Sequence, residues 1–132
     1  MINAEIIKIA SNTKNFGLTN IYTFKSSLKN SMCGDKIKLE LISSNYKINS
    51  MRYETESCVY CEASASLLAS KLKNLTIKII IRDLNALKDA INNKNLTFPK
   101  KFKKFKKLVN KNNFSRINCI ILPLDAVLKA LK

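Results

Sequence analysis

Between Leu18 and Glu56 the apolar residues recur at every second position, and from Val59 onward at every third or fourth. A period of two is that of a strand with one covered face, and a period of 3.6 is that of a helix. The chain therefore reads as strands first and helices afterwards, an order that leaves few folds open. Within the first block, Ile37, Leu39 and Leu41 alternate with Lys36, Lys38 and Glu40, which predicts a strand over Lys36 to Ser43. Ser43-Ser44-Asn45 supplies a turn. A further strand over Lys47 to Glu56 sets Ile48, Ser50, Arg52 and Glu54 against Met51 and Tyr53. Upstream, Leu18 to Lys29 places Ile21, Thr23 and Lys25 opposite Tyr22 and Phe24. Three strands with short connections make an antiparallel meander.

Helical spacing brackets that block. Ile2, Ile6 and Ile9 predict a short helix over residues 2–10, closed by the turn cluster Asn12 to Gly17. Ala65, Leu68, Ala69 and Leu72 predict a helix from about Val59 to Leu72, with small residues that favour close packing on the sheet, and Asn74 ends it. Ile77, Ile80, Ile81, Leu84, Leu87 and Ile91 predict another from Thr76 through Asn92. Thr97 is a candidate cap for a helix with Pro99 near its first turn, carrying Phe98, Phe102, Phe105 and Val109. The final helix is predicted from near Cys119 to Leu131, with Leu122, Ala126 and Leu131 as apolar contacts and Pro123 in or just before its first turn. The expectation is one α+β domain over residues 1–132: a three-stranded antiparallel sheet, an N-terminal helix, and several C-terminal helices on one face.

At 132 residues and 46% hydrophobic, the chain has enough apolar matter for one core without disulfides. It contains no histidine, so the commonest general base and nitrogen ligand are both missing. A metal site must be built from sulfur and carboxylate. The net charge of +15 fits a compositional bias, since Lys, Asn and Ile are abundant together; its functional reading is an anionic partner. Without an Arg-rich stripe, a nucleic-acid partner is not expected. Residues Met1 to Ala10 do not read as a signal peptide, and no apolar run reaches membrane-spanning length. The expected compartment is the cytoplasm or an organelle matrix, where thiols stay reduced, and no membrane partner is expected.

Four cysteines are present: Cys33, Cys58, Cys61 and Cys119. Met32-Cys33-Gly34-Asp35 lies between two predicted strands, where a thiolate and a carboxylate two positions apart can face one cation if Gly34 tightens the loop. Cys58 falls at a strand-to-helix junction, where unpaired N–H groups favour the thiolate. Its spacing to Cys61 also suits half a zinc site or a redox pair, but no second pair follows and no βαβ unit surrounds it. Cys119 precedes the final helix, and Arg116 adds positive charge that would favour its thiolate. Each cysteine alone can be read as a small buried apolar residue. Together, Cys, Asp, Cys and Cys make a tetrahedral set suited to zinc or to an iron–sulfur cluster.

These segments resemble the U-type iron–sulfur cluster assembly scaffolds: IscU, SufU and the N-terminal domain of NifU. The resemblance rests on Cys33-Gly34-Asp35 with the strand after it, on Cys58-Val59-Tyr60-Cys61-Glu62-Ala63-Ser64-Ala65-Ser66, and on Cys119-Ile120-Ile121-Leu122-Pro123-Leu124-Asp125-Ala126. It implies a site made of Cys33, Asp35, Cys58 and Cys119, with Gly34, Arg116 and Cys61 in support. It implies a transient [2Fe–2S] cluster, or alternatively Zn²⁺. A cysteine desulfurase would supply persulfide sulfur, with Cys119 the candidate acceptor, and apo iron–sulfur proteins would receive the product. Where IscU-type members carry histidine, Asn118 stands here, and Lys111 to Asn118 lacks their Leu-Pro-Pro-Val-Lys chaperone segment. Arg116 is closer to SufU-like relatives, some of which bind zinc and accept sulfur. Cys61 stands where the family usually has Ser or Gly.

Lys100 to Lys107 is the most charged segment. Its phenylalanines read first as core contacts beneath a solvated lysine face, and second as part of a docking face for an acidic partner or anionic lipid. Three functions are thus set side by side: a cluster scaffold, a zinc-dependent sulfur acceptor, and a basic nucleic-acid or membrane-binding module with buried cysteines. The expectation favours a scaffold over an enzyme and leaves a sulfurtransferase-like activity open.

Overall fold

The computed structural model describes residues 4–95, 97–110 and 113–132. Its elements are α1 (Ala4–Ala10), β1 (Phe24–Lys29), β2 (Lys36–Ser44), β3 (Lys47–Glu56), α2 (Val59–Lys71), α3 (Ile77–Asn92), a 3₁₀ segment (Lys100–Lys107), a short 3₁₀ turn (Phe114–Arg116) and α4 (Ile117–Ala130). The strands form one antiparallel sheet in the order β1-β2-β3, as the alternation predicts. Leu39 pairs with Tyr53 and Leu41 with Met51, and all four are buried on the face that α2 and α4 cover.

The period-two reading misplaces Ile48. Opposite Ile42 and Ser43 the pairing jumps from Ser50 to Ile48, so Asn49 is an extra residue in β3. That bulge reverses the phase of the strand and turns Ile48 into the core with Met51 and Tyr53.

The strand expected from Leu18 begins only at Phe24. The preceding residues lie across the outer face of the sheet, because side chains there capture their backbone. The Glu40 carboxylate accepts the Thr19 N–H at 2.8 Å and the Asn20 N–H at 2.9 Å. Glu54 accepts the Leu18 N–H at 3.1 Å, while Arg52 donates to the carbonyls of Gly17 and Phe16. Asn20 takes a positive φ of 62°, which interrupts an extended run. Glu40, expected on a solvated face, is consequently buried.

α2 is buried on all sides over Ala63 to Ala69, as befits a helix with the sheet on one flank and other helices around it. Its small residues permit close approach. Ser64 Oγ donates to the Ile120 carbonyl of α4 at 2.6 Å, and Ser66 Oγ donates to the Asn12 carbonyl at 3.0 Å. Thr76 caps α3, its hydroxyl accepting the Ile79 N–H at 3.2 Å. Ile80, Leu84, Leu87 and Ile91 are buried, whereas Ile81 is exposed.

The segment after Pro99 is 3₁₀ where an α-helix was expected. Phe102, Phe105 and Leu108 recur at intervals of three and are all buried, which is the period of a 3₁₀ turn. Pro99 precedes the segment, and the Thr97 N–H is bonded to Asn95 Oδ1 instead of Thr97 acting as cap. α4 starts earlier than expected, at Ile117, so Cys119 sits within its first turn and Pro123 well inside the helix. Of the residues proposed for the first helix, Ile2 lies outside the described part; of the segment tested for a chaperone motif, Lys111 and Asn112 also lie outside it.

Candidate metal centre

One end of the sheet collects the cysteine-bearing connections. Lys36 pairs with both Lys29 and Glu56, so the loop between β1 and β2 and the junction from β3 into α2 leave the sheet side by side. The first of these is a tight turn. The Gly34 N–H donates to the Asn30 carbonyl and the Asn30 N–H to the Asp35 carbonyl, each at 2.8 Å. Gly34 has a φ of 79°, a conformation in which a side chain would be strained even though a Cβ would meet nothing within 4 Å. This turn leaves Cys33 exposed and directs Asp35 inward, where it is buried.

Cys33 Sγ, a carboxylate oxygen of Asp35 and Cys119 Sγ lie within 4.8 Å of one another. The two sulfurs are 3.8 Å apart. Cys58 joins them through Asp35: its N–H donates to one carboxylate oxygen at 3.1 Å and its thiol to the other at 3.3 Å. As anticipated, Cys58 is the N-cap residue of α2. The four residues proposed from sequence are therefore neighbours, three as one cluster and the fourth bonded to its carboxylate.

The electrostatics of Cys119 run against expectation. Burial, then the surrounding Cys58, Asp35 and Cys33 groups, hold its thiol well above the ordinary cysteine range. Arg116 does not offset this; its guanidinium lies over the Tyr60 ring, 5.8 Å from the centroid. Burial among these groups favours the protonated Cys119 thiol, and a cation bound beside it would reverse that preference.

Cys61 is not one of the clustered groups, although Asp35, Cys58 and Cys33 act on its thiol electrostatically. It is fully buried in α2, and burial pushes its thiol up to about 12. Two further residues border the site: Tyr60, to which sequence reasoning gave no role, and Asn118, noted there only as standing in place of a histidine. Tyr60 is buried beneath Arg116, and Asn118 Nδ2 lies 3.8 Å from Met32 Sδ. The position of Tyr60 between the two cysteines of Cys58-x-x-Cys61 was the available hint.

A three-stranded antiparallel sheet backed by helices, with thiols and a carboxylate gathered where its loops meet α2 and α4, defines a small α+β domain with a candidate sulfur-and-oxygen metal site. The sequence matches the NifU-like N terminal domain family over residues 1–132, and the chain belongs to that family. No curated protein gives a significant sequence match. Among solved structures, the N-terminal NifU-like protein of Brucella abortus superposes with a TM-score of 0.82 at 21% identity, covering 98% of this chain and 90% of that one. A candidate iron–sulfur cluster assembly scaffold protein for the SUF system of the thermophile Fervidobacterium islandicum AW-1 gives a TM-score of 0.83 at 20% identity, covering 99% and 96%. Among the described residues no helix is long and apolar enough to cross a membrane.

Proposed function

We propose that the chain is an iron–sulfur cluster assembly scaffold, acting as one domain, that holds its cargo on Cys33, Asp35, Cys58 and Cys119. The observation that carries this reading is the approach of Cys33, Asp35 and Cys119 to within 4.8 Å, from segments far apart in sequence. Thiolates suit iron and sulfide, and a carboxylate is a harder, more exchangeable ligand that suits a cluster destined to leave. The family membership and the two structural likenesses support the same reading.

Sulfur would arrive as the persulfide of a cysteine desulfurase. Cys119 gives up its proton as its sulfur attacks the outer sulfur, the donor's S–S bond breaks, and the donor cysteine departs carrying that proton as thiol. Recipient apo iron–sulfur proteins would take the finished cluster. The proposed setting is a reducing intracellular compartment, which keeps the three site thiols available. A second reading, a zinc-dependent sulfur acceptor, shares these residues; the all-sulfur-and-carboxylate donor set is equally suited to tetrahedral Zn²⁺.

The deciding experiment is metal and acid-labile sulfide analysis with a visible spectrum on anaerobically purified protein. Iron with sulfide and visible charge-transfer bands is the expected result. Stoichiometric zinc without sulfide would select the second reading. Absence of metal after reconstitution would reject both.

A further inference from the structure

Residues 100–107 form two 3₁₀ turns that meet at a kink at Phe102. Phe102 and Phe105 are fully buried, so Lys100, Lys101, Lys103, Lys104, Lys106 and Lys107 are all left on the outside. Between Asp89 and Asp125 the sequence has no acidic residue to balance them. Among the described residues, Lys107 is the one lysine of this segment in a salt bridge, and its partner comes from α1: Glu5 Oε1 lies 2.6 Å from its Nζ. That contact borders a groove of about 520 Å³, walled by Lys8 and Ile9 of α1, Ser66 and Leu67 of α2, and Lys104 and Lys107.

We propose that this groove and its lysine rim dock an acidic segment of a partner protein. The Glu5–Lys107 contact shows that the groove already accommodates a carboxylate. Lys8 and Lys104, with the neighbouring lysines of the rim, offer further positions of the same kind. Anionic lipid fits less well: an interfacial segment inserts its aromatic side chains, and here both phenylalanines are committed to the core. Single-stranded nucleic acid fits less well for the same reason, since no exposed ring on this segment can stack a base. The site is also remote from the thiols. Ser66 and Ser70 lie seven and eleven residues beyond Val59, about 10–16 Å along the α2 axis, so a docked partner leaves the metal centre open. The proposal does not depend on what that centre carries.

The test is fluorescence anisotropy of the intact protein with a labelled Glu/Ala-repeat peptide, compared with oligo(dT) and with phosphatidylserine–phosphatidylcholine vesicles. The peptide is expected to bind, and binding should weaken as salt rises. Replacing Lys101, Lys103 and Lys104 together by Glu should weaken it about tenfold or more. A second triple variant, K38E/K47E/K78E, makes the same change in net charge at exposed lysines elsewhere and should stay within about twofold of the wild type. The milder K101Q/K103Q/K104Q variant serves if charge reversal disturbs folding, and should weaken binding severalfold. Three results would overturn the proposal: no peptide binding at low salt, equal weakening by both charge-reversal triples, or tighter patch-dependent binding of oligo(dT) or vesicles than of peptide. Metal and sulfide content should be the same in all variants, so failure here is separable from failure of the scaffold reading.

Discussion

Asp35 holds both carboxylate oxygens against Cys58, one on the backbone N–H and one on the thiol. Under the proposed function it is the one carboxylate ligand among thiols, and the exchange of such a ligand would set how readily cargo departs. Asp35→Ala is expected to make a reconstituted cluster longer-lived, read as slower decay of its visible absorbance; faster loss would make Asp35 an indispensable structural ligand. Cys61 gives a contrasting case. Its folded thiol titrates at about 12, above the unfolded value, so its contribution to stability is complete below about pH 8.5 and lost as pH rises toward the folded value. Urea midpoints should therefore fall between about pH 8 and about pH 10, and Cys61→Ala should flatten part of that fall. The candidate residues were legible because Cys, Gly and Asp stand together and the other two cysteines sit near element boundaries. The shift at Cys119 was not, because Arg116 is near in sequence yet is turned onto Tyr60 by the fold.

At the scale of elements, the outer face of the sheet shows how side chains redirect a strand. Glu40 serves three donors of residues 19 and 20, counting the Thr19 hydroxyl at 3.3 Å. Glu40→Ala leaves two backbone N–H groups without their acceptor and should cost about 1–3 kcal/mol in urea denaturation while leaving the three strands intact by circular dichroism. Alternation alone continues a strand back to Leu18, because a pattern of side chains does not say which acceptor takes the backbone N–H groups. The bulge at Asn49 was hidden for a related reason: one inserted residue changes no composition but reverses the facing of Ile48. The 3₁₀ segment, by contrast, was written openly in the interval of three between Phe102, Phe105 and Leu108. An α-helical reading of the same residues finds the right core contacts and the wrong backbone.

The molecule as a whole couples its core to its candidate metal centre. α2 begins at Cys58 beside the cluster and is buried through Ala69, and α4 carries Cys119 while packing on α2, β1 and β2. A cation bound by the folded arrangement and not by the unfolded chain stabilises the fold by mass action. Zinc at about a hundred times its dissociation constant should raise the thermal midpoint by roughly 5–10 °C, and EDTA should reverse the rise. Cys33→Ser should shrink the shift; an undiminished shift would place the ion elsewhere. The overall order of strands and helices was legible in the change of period near Val59, whereas the meeting of Cys33 with Cys119 was not, since linear spacing carries no distance.

That meeting spans 86 residues of sequence. During synthesis, Cys33, Asp35 and Cys58 leave the ribosome long before α4, and until α4 docks they have no third sulfur to converge on. If the proposed function holds, the centre would certify completion: a chain still being made, or one cut before Ile117, would offer cargo only a partial grip, and loading would be reserved for molecules whose fold has closed.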